Sequence, residues 1–194
     1  MTTFQDQEDD VIFNEPIQAK KDCKIKITFA ELTEWKVKDT VTGYEGQQFP
    51  AMKLTIMVID PDVHCEHPDA RPRVIEDQFN LEKYPYLDKK TAEVKWLGRQ
   101  KVYDLEQALG FEPLFVVNGE RVEPYVTRNG NKVAPKTPGV KRKLNPEFAS
   151  AYFDGNGIPK VDNWIDKELL ADIEVEKSEQ YGDKNVIKRY KKLS

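Results

Sequence analysis

Six aromatic residues stand among polar or cationic neighbours: Trp35, Tyr44 and Phe49 in one segment, Tyr84 and Tyr86 in a second, and Tyr190 near the C-terminal end. Ring faces bordered by cations can stack on flat bases while the cations meet phosphates, and each stacked base is worth roughly 1–3 kcal/mol. Lys24, Lys26, Lys36, Lys38 and Lys53 accompany the first group, and Lys188 and Arg189 precede Tyr190. Lys141, Arg142 and Lys143 follow Pro138-Gly139 and read as a flexible clamp. Contacts of this kind with a charged backbone weaken steeply with salt. One surface lysine usually only solvates a face, and one aromatic is usually core. Six such rings together are harder to explain that way.

Other chemistries are poorly served. His64, Cys65 and His67 share the loop that begins at Asp60, with Asp62 and Glu66 beside them, and could bind zinc with Cys23 as a fourth ligand. Their spacing follows no established zinc pattern, so an acidic, solvated loop is the default. Asp60, Asp62, Glu76 and Asp77 could hold Mg²⁺ only if they converged, and Asp77 alternates onto the face of Phe79. Two histidines leave little room for acid–base catalysis, and neither a phosphate-cradling glycine loop nor a nucleophile elbow is present. No enzyme and no cofactor is expected.

The elements that must position these residues come from a chain of 194 residues, enough for one domain, or one with a large insertion. Its 33% charged residues and 39% hydrophobic residues indicate a soluble protein, with no apolar run of the ~20 residues needed to span a bilayer. Residues 1–16 are acidic and lack the pattern of a signal peptide, and two cysteines make no disulfide framework, which together suggest a cytoplasmic protein. The net charge of −4 hides strong segregation. Residues 1–16 carry five acids and no Lys or Arg, and read as a disordered acidic arm before a single domain over 17–194. Residues 119–145 carry seven cations against Glu120 and Glu123.

Period-two alternation puts Ile25, Ile27 and Phe29 on one face of a first strand, with Lys24 and Lys26 on the other and a bulge near Ala30-Glu31. A second strand follows over residues 52–59, and a third over 74–81 with Ile75, Phe79 and Leu81 inward. Tyr84-Pro85-Tyr86 turns the chain. Val94, Leu97, Val102, Leu105 and Leu109 form a helical stripe over 89–109, stopped by Gly110. Residues 111–163, with six prolines and five glycines, read as an insertion holding a hairpin around Asn118-Gly119 and a second turn at Asn129-Gly130. Leu169, Ala171, Ile173 and Val175 then alternate with acids, and a basic last strand follows Tyr181-Gly182-Asp183. Three strands, one helix, an insertion and two strands match a mainly β chain: a five-stranded OB-like barrel with its helix between the third and fourth strands.

The closing segment, ending Asn185-Val-Ile-Lys-Arg-Tyr190, resembles the last strands of small bacteriophage OB-fold single-stranded-DNA-binding proteins. The first hairpin, the segment Glu76-Asp-Gln-Phe-Asn-Leu81 and the helix ending at Leu109-Gly110 are similar to that group as well. The resemblance covers roughly residues 20–110 and 165–192. It implies sequence-nonspecific binding of single-stranded DNA in phage-type replication and recombination, inside a bacterial host cell. Two features depart from the pattern: the insertion 111–163 is large, and the acidic run is N-terminal where such proteins often carry it at the C-terminus. The acidic arm is then the expected contact for replication or recombination proteins. A β-rich protein–protein interaction module without nucleic-acid binding is the alternative.

Overall fold

Cys23, Ile25 and Ile27 alternate against Lys24 and Lys26 to build the first half of β1 (Lys20–Lys36) in the computed structural model, which describes residues 16–63, 74–128, 132–177 and 183–193. The antiparallel partner is β2 (Gln48–Val58), and β3 (Val74–Asn80) pairs on its far side. The chain returns much later as β11 (Glu168–Glu176) beside β1, with β12 (Lys184–Lys191) outside it. The sheet order is β12-β11-β1-β2-β3, antiparallel throughout. Three hairpin-connected strands, with a fourth returning beside the first, form a Greek key.

One face of this sheet is the core. Ile25, Ile27, Leu54, Ile56, Ile173 and Ile187 are almost fully buried there, joined by Leu105, Phe148 and Trp164 from elements outside the sheet. The edge strands β3 and β12 approach each other, and Tyr190 donates a hydrogen bond across the gap to Asp77 at 2.6 Å. No hydrogen-bonded ladder joins them among the described residues. The chain is thus mainly β, built of several sheets, none closed into a barrel.

Phe29 departs from its expected place. The bulge falls at Thr28, between the Ile27–Ile56 and Phe29–Thr55 pairs, slightly before Ala30-Glu31. Two residues of β1 oppose one of β2 there, and the Thr28 hydroxyl donates to the Thr55 carbonyl at 3.1 Å. The extra residue reverses the facing of all that follows. Phe29 turns outward, 48% exposed, and Ala30 takes the core position.

The stretch expected as one helix over 89–109 divides. Tyr84, Pro85 and Tyr86 do not turn the chain but lie in β4 (Tyr84–Leu87), which pairs with β5 (Val94–Leu97). Only α1 (Gln100–Ala108) is helical. Gly98 separates the two, where helix continuation is costly, and Val94 and Trp96 suit a strand. Val102, Leu105 and Ala108 pack α1 inward, and the helix lies against β12 beside the gap.

The insertion is more regular than expected. β6 (Leu114–Val117) and β7 (Glu120–Val122) form the anticipated hairpin, with Asn118 (φ 50°) and Gly119 (φ 92°) supplying the positive φ angles of a primed turn. β8 (Tyr125–Val126) pairs with β9 (Lys132–Val133), and the turn expected at Asn129-Gly130 lies outside the described residues. β10 (Lys141–Lys143) pairs with β6, so this run is ladder rather than flexible clamp. A second helix, α2 (Pro146–Tyr152), was not expected; Asn145 caps it by accepting from the Glu147 and Phe148 N–H groups, with Pro146 in its first turn. A short 3₁₀ turn (Val161–Asn163) leads to Trp164. No described helix is long and apolar enough to cross a membrane.

Candidate nucleic-acid interface

The bulge decides which face the aromatic residues occupy. After it, Glu31, Thr33 and Trp35 of β1 stand on the outward face, opposite Lys53, Ala51 and Phe49 of β2. Trp35 and Phe49 are cross-strand partners. Tyr84 reaches over both: its ring centroid lies 6.2 Å from Trp35 and 5.7 Å from Phe49, tilted and edge-on. Its hydroxyl donates to the Lys36 carbonyl at 3.1 Å, and burial raises its pKa above the usual phenol value. All three rings are half-buried. Tyr44, in the β1–β2 loop, meets Trp96 of β5 edge-on at 5.3 Å. The β4–β5 hairpin therefore leans on the tip of the first hairpin, and the two bring five rings together. Tyr86 is exposed on β4, apart from these ring contacts.

A cleft of about 430 Å³ opens next to Trp35, along the gap between β3 and β12. Lys53, Lys101, Lys184 and Lys188 line it, with Glu76, Asp77 and Glu176. The cations there are matched by acids. Lys53 lies 2.8 Å from Glu76 and 3.6 Å from Glu31; Lys101 pairs with Asp77; Lys184 and Lys188 lie 3.4 and 3.6 Å from Glu176 and Glu174. Lys24 and Lys26, outward on β1 as expected, pair with Glu168 at 2.9 Å and Asp166 at 2.8 Å. Lys36 and Lys38 are exposed and make no ion pair among the described residues, with Lys36 alternating onto the face opposite Trp35. The same holds for Arg189, exposed on β12 and facing Asp172 in register.

No family model, curated protein or solved structure matches this chain.

Two expected contacts are internal. Tyr190 is 4% exposed, on the inner face of β12, where its hydroxyl bonds Asp77; burial and that carboxylate's charge drive its pKa far upward. Reading it as a stacking residue overlooked that Tyr190 pairs with core-facing Ala171 and so shares its face. Arg142 is the second. It pairs with fully buried Glu106, and its guanidinium sits 4.6 Å from the Tyr103 ring centroid and 5.3 Å from that of Phe115. It holds the insertion to α1 and is not available to a phosphate. Lys141 and Lys143, its neighbours on β10, point the other way and are exposed.

His64, Cys65 and His67 lie outside the described residues. Cys23, the fourth ligand considered with them, is fully buried on the inner face, and burial and the Asp60 charge push its thiol up to about 11. The possible Mg²⁺ carboxylates are each engaged within the fold: Asp60 and Asp62 by Lys20 at 2.7 and 3.6 Å, Asp77 by Lys101 and Tyr190, Glu76 by Lys53. Sequence reasoning missed Trp96 and Lys101. Trp96 was hidden by the helical reading of its segment, although its alternation with Lys95 was visible.

Proposed function

We propose that the chain is a non-enzymatic OB-type protein that binds single-stranded DNA without strong sequence preference. The observation that carries this reading is the outward cluster of Trp35, Phe49 and Tyr84, opening onto the lysine-lined cleft. The topology supports it. A five-stranded Greek-key sheet whose edge strands approach, with no ladder between them among the described residues, is in keeping with the partly open OB barrel, which binds oligonucleotides on its second and third strands and adjoining loops. Here the rings sit on β1 and β2 with the β1–β2 loop at their side. Half-buried rings held by edge contacts are already ordered, so a base stacking on them costs little further ordering. Service in phage-type replication and recombination is part of the same proposal and rests on the resemblance alone.

A protein–protein module is the second reading, and the pairing of the sheet's lysines with carboxylates favours it. An electroneutral face attracts a polyanion weakly.

Fluorescence anisotropy of labelled oligo-dT of roughly 30 nucleotides, with an equal duplex, at about 50 and about 200 mM salt separates the two. Single-strand binding that weakens with salt and exceeds duplex binding is the expected result. Absence of binding at the lower salt rejects the nucleic-acid reading.

A further inference from the structure

The insertion carries its own exposed, basic surface. Arg142 faces α1, so alternation along β10 sends Lys141 and Lys143 to the opposite face of the β10-β6-β7 sheet. Lys141 and Arg121 both pair with Val116 and therefore share that face. Lys141 and Lys143 make no ion pair among the described residues, and Arg121 only reaches exposed Glu123 at 4.0 Å. On the adjoining β8–β9 hairpin, Tyr125 is 61% exposed and Val126 54% exposed. An uncovered aromatic and exposed cations, two of them without an ion pair among the described residues, share one segment of strong positive excess within a net-negative chain, a combination suited to a polyanion with flat faces.

Placement connects this surface to the first. Tyr103 and Glu106 of α1 hold β10, Gln107 donates to the Lys132 carbonyl, and Lys101 of the same helix lines the cleft next to Trp35. The nine residues of α1, about 13 Å long, thus join the insertion to the cleft.

We propose that Arg121, Lys141, Lys143 and Tyr125 form a second contact surface for single-stranded nucleic acid, engaged by the part of the strand that leaves the Trp35 cluster. The inference rests on the single-strand reading of that cluster and extends its footprint onto the insertion.

The test compares wild type with the triple variant Arg121→Ala, Lys141→Ala, Lys143→Ala, and separately Tyr125→Ala, on oligo-dT of about 8 and about 30 nucleotides across a salt series. Circular dichroism of each variant checks that the fold is kept. For the longer strand the triple variant is expected to flatten the log–log salt slope by about 2, at 0.7 for each lost contact. Tyr125→Ala is expected to weaken binding about 5-fold or more at an unchanged slope, as for one lost stacked base. The shorter strand should bind all three proteins alike. An unchanged slope in the triple variant on the long strand overturns the second surface while leaving the Trp35 site standing. Failure of wild type to bind either oligonucleotide overturns both. Displacement of the long strand by polyglutamate as readily as by unlabelled oligo-dT also overturns it, in favour of an acidic protein partner.

Discussion

Trp35 and Tyr190 show how little residue type alone decides. Both are aromatic residues near lysines in a strand, yet one stands outward and the other closes the core. Trp35→Ala is expected to lower single-strand affinity by 1–3 kcal/mol, about 5- to 150-fold, with an unchanged salt slope and a stability loss of about 1 kcal/mol or more from the lost packing on Tyr84 and Phe49. Tyr190→Phe should do the reverse. It removes a buried hydrogen bond to a carboxylate and costs about 1.5–3 kcal/mol of stability, read by urea unfolding, while affinity for oligo-dT stays within 2-fold. If Tyr190→Phe impaired binding without destabilising the fold, its assignment to the core would be wrong. The outward place of Trp35, Lys24 and Lys26 was legible in the sequence from polar neighbours and period-two alternation. The inward place of Tyr190 needed its partner, Ala171, and the register of β11 against β12, which one strand does not contain.

Elements were legible where the period was strong. β3, β11 and β12 fall close to their expected bounds, and β1–β2 form the expected hairpin. The helix over 89–109 failed because Val94 and Leu97 fit a helical stripe by spacing, while the pairing of β5 with β4 is a nonlocal fact. Asp60, just after β2, shows an element held by charge. Its carboxylate accepts from the Lys20 ammonium at 2.7 Å and from the Lys24 and Asp62 N–H groups at 3.0 and 2.9 Å. Burial opposes ionisation there, but these donors prevail and hold its pKa at about 2, below the ordinary 3.8. A depressed carboxylate stabilises the fold above its unfolded value. That contribution, roughly 2 kcal/mol, is present above about pH 4 and is lost as pH falls through 2. Asp60→Asn should therefore lower stability at pH 7 by about 2 kcal/mol and flatten the stability profile between about pH 4 and 2. An equally steep profile in the variant would show that other carboxylates set it.

Across the whole molecule, the charge pattern decides how the candidate surface behaves. The sequence offered Lys24, Lys26, Lys53 and Lys188 as cations that could meet phosphates. Pairing between strands changes this, because Glu31, Glu76, Glu168, Glu174 and Glu176 come from other elements and neutralise those lysines in place. Pairs this exposed are worth only about 0–1 kcal/mol each, so they are easily exchanged for another anion. A phosphate reaching Lys53 must displace Glu76 and Glu31, and the repulsion between those carboxylates and the strand opposes its approach. Removing the carboxylates should thus strengthen binding. Glu31→Gln combined with Glu76→Gln is expected to tighten oligo-dT binding about 3- to 10-fold at low salt and to steepen the log–log slope by about 0.7, as for one added phosphate contact. Stability should move by less than about 1 kcal/mol. The same double substitution should do nothing for an electroneutral face that docks a neutral protein. Unchanged affinity and slope would mean that the strand does not pass Lys53, and the path would then have to run over Lys36 and Lys38 at the hairpin tip.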